Sequence, residues 1–202
     1  MPQIESIKKI VKIARPNHRG AIIEFMANTG VRRGEAIALR WSDIGIVSKT
    51  AQINGSMQRI KHQGLKFVPT KSAAGRRAVA LNSDALRVVN RRRIQQTEDR
   101  LKAGSEFTDN DLVFTTESGL PLDPDNLTHQ FKRFAVKAGH PNLRLHDLRH
   151  FHAYALALSG AHPKVIQNQL GHASAAFTLQ VYTHVDASLQ AAAVQRTSGL
   201  LG

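Results

Sequence analysis

The sequence predicts an α+β fold, mainly α-helical, with a small antiparallel β-sheet set between helical stretches. Three observations lead there. Apolar residues recur at helical spacing near the start; short β-branched runs separated by Gly and Ser turns occupy the region from 44 to 81; and helical periodicity returns after residue 124. No internal repeat, low-complexity tract or long Pro/Gly/Ser linker divides the 202 residues, so a single domain spanning 1–202 is expected.

Taken in order, Ile4, Ile7, Ile10, Val11 and Ala14 line one face of a helix over 4–14, which Pro16 ends. An apolar stretch over 21–27 stops at Asn28-Thr29-Gly30, and a helical pattern resumes over 33–39, so Gly30 puts a turn just before Arg32. Strands are predicted over 44–47, 51–53, 67–69 and 77–81. Ser83 or Asp84 can cap a helix running to about Lys102, with Leu86, Val89, Ile94 and Leu101 as its apolar stripe and Arg91-Arg92-Arg93 as a solvated run. After Leu112-Val113-Phe114 and a turn around Pro121, helices are predicted over 124–138, 146–159, 163–169, 174–181 and 186–195. The tail from Ala187 to Leu201 could pack on its own domain or on a neighbour.

Lys and Arg outnumber Asp and Glu by 28 to 15, for a net charge of +13, which points to an anionic partner, nucleic acid first. No apolar run of about 18 residues, signal-peptide core or basic amphipathic stretch with large apolar anchors supports a membrane role. The absence of Cys leaves oxygen and nitrogen groups for any chemistry and fits a reducing cytoplasm.

Several clusters could handle an anion. His146 and Arg149, three apart, share one helical face, where a guanidinium fork and an imidazole suit a tetrahedral phosphate. Alone, such a pair is more often a surface ion-pairing Arg and a capping His. His146, His150 and His152 also permit a zinc reading, which an Arg inside the motif opposes. Gly171 would end its helix in a left-handed cap and deliver His172 from a turn, while Tyr182, one of 2 tyrosines, ends a helical stretch in a His-rich region. Thr29-Gly30-Val31-Arg32-Arg33-Gly34-Glu35 brings an Arg from a turn to a helix N-terminus, an anion site or simply a basic turn beside a buried Trp41. Lys71, in Pro69-Thr70-Lys71-Ser72, sits at a hairpin, either solvated or reaching a DNA groove or phosphate.

In order and spacing, Thr29-Gly30-x-Arg32-x-x-Glu35, Thr70-Lys71-Ser72, His146-x-x-Arg149, Leu170-Gly171-His172 and Tyr182-Thr183-His184 resemble the tyrosine recombinases, the phage-integrase family. The resemblance runs from about residue 5 to 190 and corresponds to that family's C-terminal catalytic domain. It implies the tyrosine-recombinase catalytic fold, with DNA held in a basic cleft. The family's N-terminal, DNA-clamping domain is expected to be absent, because only a short stretch precedes the first active-site helix.

By the same resemblance, Arg32 and Arg149 clamp the non-bridging oxygens of the scissile phosphate, His146 assists proton transfer and His172 hydrogen-bonds the phosphate. Lys71, preferred over Lys66 for its Thr-Lys-Ser context, protonates the leaving 5′ oxygen, and Glu35 supports the arginine. Tyr182 attacks, giving a 3′-phosphotyrosyl link, so neither ATP, a metal nor any other cofactor is implied. The implied activity is site-specific recombination or integration of a mobile genetic element in a bacterial or phage setting, with double-stranded DNA as partner and self-association into a tetramer-like synapse. A topoisomerase-like relaxer and a catalytically silent DNA-binding module are the alternatives.

Overall fold

The computed structural model describes residues 4–70 and 76–171. Helix α1 (Ile4–Ala14) buries Ile7, Ile10 and Ala14, and α2 (Gly20–Thr29) is buried along nearly its whole length. The chain leaves α2 through Gly30, at φ 68°, a left-handed cap favouring glycine, whose N–H donates to Met26 O. It re-enters a helix at once as α3 (Arg33–Ala38). A 3₁₀ turn at Trp41–Asp43 leads into β1 (Ile44–Gly45), β2 (Thr50–Ile53), β3 (Gly55–Ile60), β4 (Gly64–Pro69) and β5 (Arg77–Ala80). The remaining elements are α4 (Ser83–Ala103), a 3₁₀ turn at Gly104–Glu106, α5 (Pro124–Lys137), α6 (Asp147–Leu158) and α7 (Pro163–Leu170).

Among the described residues the strands form not one sheet but two: a three-stranded antiparallel sheet ordered β1-β2-β5, and a β3–β4 hairpin that lies between β2 and β5 in chain order. Strand β3 was not expected, because Gly-Ser-Met-Gln-Arg-Ile lacks an apolar alternation and Met57 is its one buried large side chain. Gly34 lets α3 approach it closely, since a Cβ there would meet Met57 O at 2.7 Å. The predicted strand over 44–47 shrinks to two residues, because Ile46 and Val47 sit exposed in the following turn.

Helix α4 corrects two expectations. Its cap is Asn82, whose side chain accepts from Ala85 N at 2.8 Å, rather than Ser83 or Asp84. Its inward face is Ala85, Val88, Val89, Arg92, Gln96 and Asp99, whereas Ile94 and Leu101 are 64% and 79% exposed. Arg92 is therefore buried, not solvated. Its guanidinium donates to Val113 O, Asp99 Oδ2 and Thr115 Oγ1 at 3.0, 3.0 and 2.9 Å, a set of partners that offsets desolvation. Arg91 pairs with Glu24, and Arg93 lies over the half-buried Trp41 ring, so each arginine of the run has a partner. Trp41 Nε1 donates to Gln96 Oε1 at 2.6 Å.

The main core gathers α1 to α5 and the start of α6 around Ile10, Ile23, Phe25, Ile37, Phe114 and Phe131. A smaller cluster of Ala153, Ala157, Ile166 and Leu170 joins α6 to α7. Among the described residues no helix is long and apolar enough to cross a membrane. The predicted helices over 174–181 and 186–195, and the tail, lie outside the described residues.

Candidate active site

The site is assembled where the C-terminal end of α7 meets the turn between α2 and α3. Helix α7 ends on Gly171, at φ 66° in the left-handed region as its sequence position suggests. Its last carbonyls carry the negative end of the helix dipole and need donors. Three arginines supply them: Arg77 Nε donates to Gln169 O at 3.2 Å, Arg149 Nη2 to Leu170 O at 2.6 Å, and Arg32 Nη2 to Gly171 O at 3.1 Å.

Each arginine arrives from a different element. Arg32 precedes the first turn of α3, where its backbone N–H donates to Glu35 Oε2 and its Nη1 to Glu35 Oε1, both at 2.8 Å. Arg149, on α6, also donates through Nη1 to Gly30 O at 2.8 Å, so one buried guanidinium ties the left-handed turn before Arg32 to the end of α7. Arg77 starts β5 and forks onto Glu35, Nη1 to Oε1 at 3.1 Å and Nη2 to Oε2 at 2.9 Å. Glu35 is thus the buried hub between two arginines. Burial pushes its carboxyl up, but the Arg77 fork and charge, with the Arg32 amide and charge, outweigh this and bring it down to about 2. Arg149 is pushed down to about 9 by burial first and the Arg32 charge second, and still carries its proton at neutral pH.

Among the described residues of this cluster, Arg32, Arg77 and Arg149 stand against the Glu35 carboxylate, which leaves a cationic surplus. The side chain of Arg32 is 43% exposed, and it opens onto a cleft of about 740 Å³ shared with His146, Ser56, Gln58, Arg59 and Lys61. His146, the residue before α6, stacks edge-on against His150 with centroids 4.9 Å apart. Burial, then the neighbouring His150 and Arg149 charges, holds the His146 imidazole below its ordinary value, which favours its unprotonated form. His152 points elsewhere: it is buried, hydrogen-bonded to the Ala27 backbone, and its Nε2 has no partner among the described residues. Among the described residues no three His, Cys, Asp or Glu side chains group to hold a metal, so the three-histidine zinc reading has no geometry there.

Arg32, Glu35, His146 and Arg149 are brought together as one site. Lys66 lies exposed on the β3–β4 hairpin opposite Gln58. Lys71, His172 and Tyr182 lie outside the described residues. Sequence reasoning missed Arg77. The available signal was its two-residue spacing from buried Val79 on β5, which turns an arginine inward. It also missed Gln169, whose side chain accepts from Ala80 N at 2.9 Å and donates to Ala80 O at 3.0 Å, fastening α7 to β5.

Arginines that converge beside a basic cleft around a shared carboxylate are chemically suited to an anion. Comparison with known proteins makes the class specific: residues 2–188 match the phage integrase family, and the chain belongs to it. It is 30% identical over 209 residues to the XerC-like tyrosine recombinase of Caldanaerobacter subterraneus subsp. tengcongensis, covering 97% of this chain and 53% of that protein. It is 32% identical over 171 residues to the integrase of Staphylococcus phage L54a, covering 81% and 47%. The chain thus spans about half the length of the curated relatives it matches. Its fold superposes on the Tn1549 transposon integrase in complex with transposon right-end DNA with a TM-score of 0.80 at 18% identity, over 98% of this chain and 66% of that one. The XerA recombinase superposes with a TM-score of 0.69 at 25% identity, over 96% and 62%. The fold class is accordingly that of the tyrosine-recombinase catalytic domain, as the motifs imply.

Proposed function

We propose that the chain is a DNA strand transferase, the catalytic part of a site-specific recombinase or integrase of a mobile genetic element. The observation that carries this is the convergence of Arg32, Arg77 and Arg149 on the last carbonyls of α7 around one carboxylate, leaving surplus positive charge at the cleft. Arg32 and Arg149 bind the non-bridging oxygens of the scissile phosphate and stabilise the charge of the pentavalent transition state. Tyr182 Oη forms a bond to phosphorus as the bond to the 5′ oxygen breaks. The phenol proton goes to His146, which is neutral before the step, and Lys71 gives a proton to the departing 5′ oxygen. His172 hydrogen-bonds the phosphate. The 3′-phosphotyrosyl link conserves the bond energy, so the 5′ hydroxyl of a second strand reverses the step without ATP or a metal.

Double-stranded DNA is the partner, first engaged through sequence-independent phosphate contacts. Recombination between two sites calls for several copies assembled on DNA, and the setting is the cytoplasm of a bacterium. The test incubates the protein in chelator with nicked duplexes of randomised sequence, whose cleavage releases a short fragment and traps the enzyme. A denaturant-resistant adduct is expected with the wild type and not with Tyr182→Phe, which still binds the duplex. No wild-type adduct, or one that survives Tyr182→Phe, contradicts the mechanism. Relaxation of supercoiled DNA of arbitrary sequence would instead assign a topoisomerase-like relaxer.

A further inference from the structure

Burying a guanidinium is costly unless its donors are matched, yet β5 turns Arg77 inward until its side chain is 7% exposed. Its fork covers both oxygens of Glu35, and each of those oxygens also accepts from Arg32, one from the side chain and one from the backbone. The Glu35 charge is therefore divided between two arginines. Were Arg77 absent, Glu35 would pair with Arg32 alone and cancel the charge that faces the cleft. Arg77 also lies directly beneath Gly171, where a Cβ would come within 2.8 Å of its Cδ and Nε, and it holds Gln169 O in the same turn.

Resting on the strand-transfer reading above, we propose that Arg77 is a positioning residue: it shares the Glu35 carboxylate so that Arg32 keeps its cationic charge for a phosphate oxygen, and it sets the end of α7. It touches no DNA itself. A purely structural Arg77 would serve stability alone. A charge-dividing Arg77 makes phosphate affinity follow the balance of Arg77 and Glu35, and removing both restores the surplus that removing Arg77 destroys.

The test follows the guanidinium ¹⁵N–¹H signals of Arg32 and Arg149 during titration with inorganic phosphate at constant ionic strength, with circular dichroism as the folding control. Arg77→Met is expected to weaken phosphate binding about tenfold, Arg77→Lys about threefold, and the double variant Glu35→Gln with Arg77→Met to return within about twofold of wild type. Wild-type phosphate affinity in Arg77→Met, or a double variant no better than Arg77→Met, overturns the proposal. If Arg77→Met does not fold, Arg77→Lys decides: folded protein with undiminished phosphate affinity overturns it equally. The nicked-duplex assay separates this from the parent reading. Absence of any wild-type adduct would defeat the Tyr182 mechanism, while the phosphate series would still decide what Arg77 does.

Discussion

Replacing Glu35 by Gln tests the hub on which the arginines depend. The buried carboxyl is brought down to about 2 from an ordinary value of 4.5, chiefly by Arg77 working against burial. That difference corresponds to roughly 3 kcal/mol of folding stability at pH 7. Breaking a buried ion pair from one side costs about 3–5 kcal/mol by general experience, because the other charge is left unpaired. Here the orphan is Arg77, 7% exposed. The sign follows from a depressed carboxyl: its contribution is complete well above 4.5 and fades as pH falls toward about 2. At pH 4 about 0.8 kcal/mol of it is already lost. Urea unfolding of wild type and Glu35→Gln at pH 7 and pH 4 should give a gap of about 3 kcal/mol at pH 7 that narrows by about 0.8 kcal/mol at pH 4, since the wild type alone titrates at this position. A gap below about 1 kcal/mol at pH 7, or one that widens at pH 4, would refute the hub.

Other consequences can be measured on the same protein. His152 is held down to about 4 by burial and the Arg149 charge against its Ala27 hydrogen bond, so the unfolded chain takes up this proton first and stability falls as pH drops from 6.5 toward 4. Wild type should lose about 2 kcal/mol more than His152→Leu between pH 7 and pH 5 in urea melts, and identical losses would contradict the assignment. Arg92→Met strips the buried Asp99, Val113 O and Thr115 of their shared donor and should cost about 3–5 kcal/mol, part of it recovered when Asp99→Leu is added. A cost under about 1 kcal/mol would show that the Arg92 network contributes little.

What was legible in the sequence followed local rules. Gly30 marked a turn and Gly171 a left-handed cap; both adopt the left-handed backbone that favours glycine, and these two turns place Arg32 and close α7. Pro124 at the first position of α5 and the apolar spacing of α1 set those helices where expected. What was illegible depends on partners distant in the chain. Arg92 reads as solvated until the 112–115 segment is folded against α4 to offer it a carbonyl and a hydroxyl. Strand β3 carries too little apolar alternation to announce itself and is held by β4 and by the close approach of Gly34. Arg77 reads as one basic residue among many, because Glu35 lies 42 positions away and the α7 carbonyls farther still. Ordered motifs marked Arg32, Glu35, His146 and Arg149 as a set, and tertiary contacts reveal the arginine that joins them.

The most direct measurement is made on the covalent product itself. The adduct with nicked DNA, digested with nuclease and trypsin, should yield its nucleotide on the peptide between Lys164 and Arg196, which contains no internal Lys or Arg and has Tyr182 as its only tyrosine. Fragmentation is expected to place a 3′-linked phosphate on the Tyr182 phenol. A nucleotide on Tyr154, on a histidine or serine, or on no residue would contradict the account.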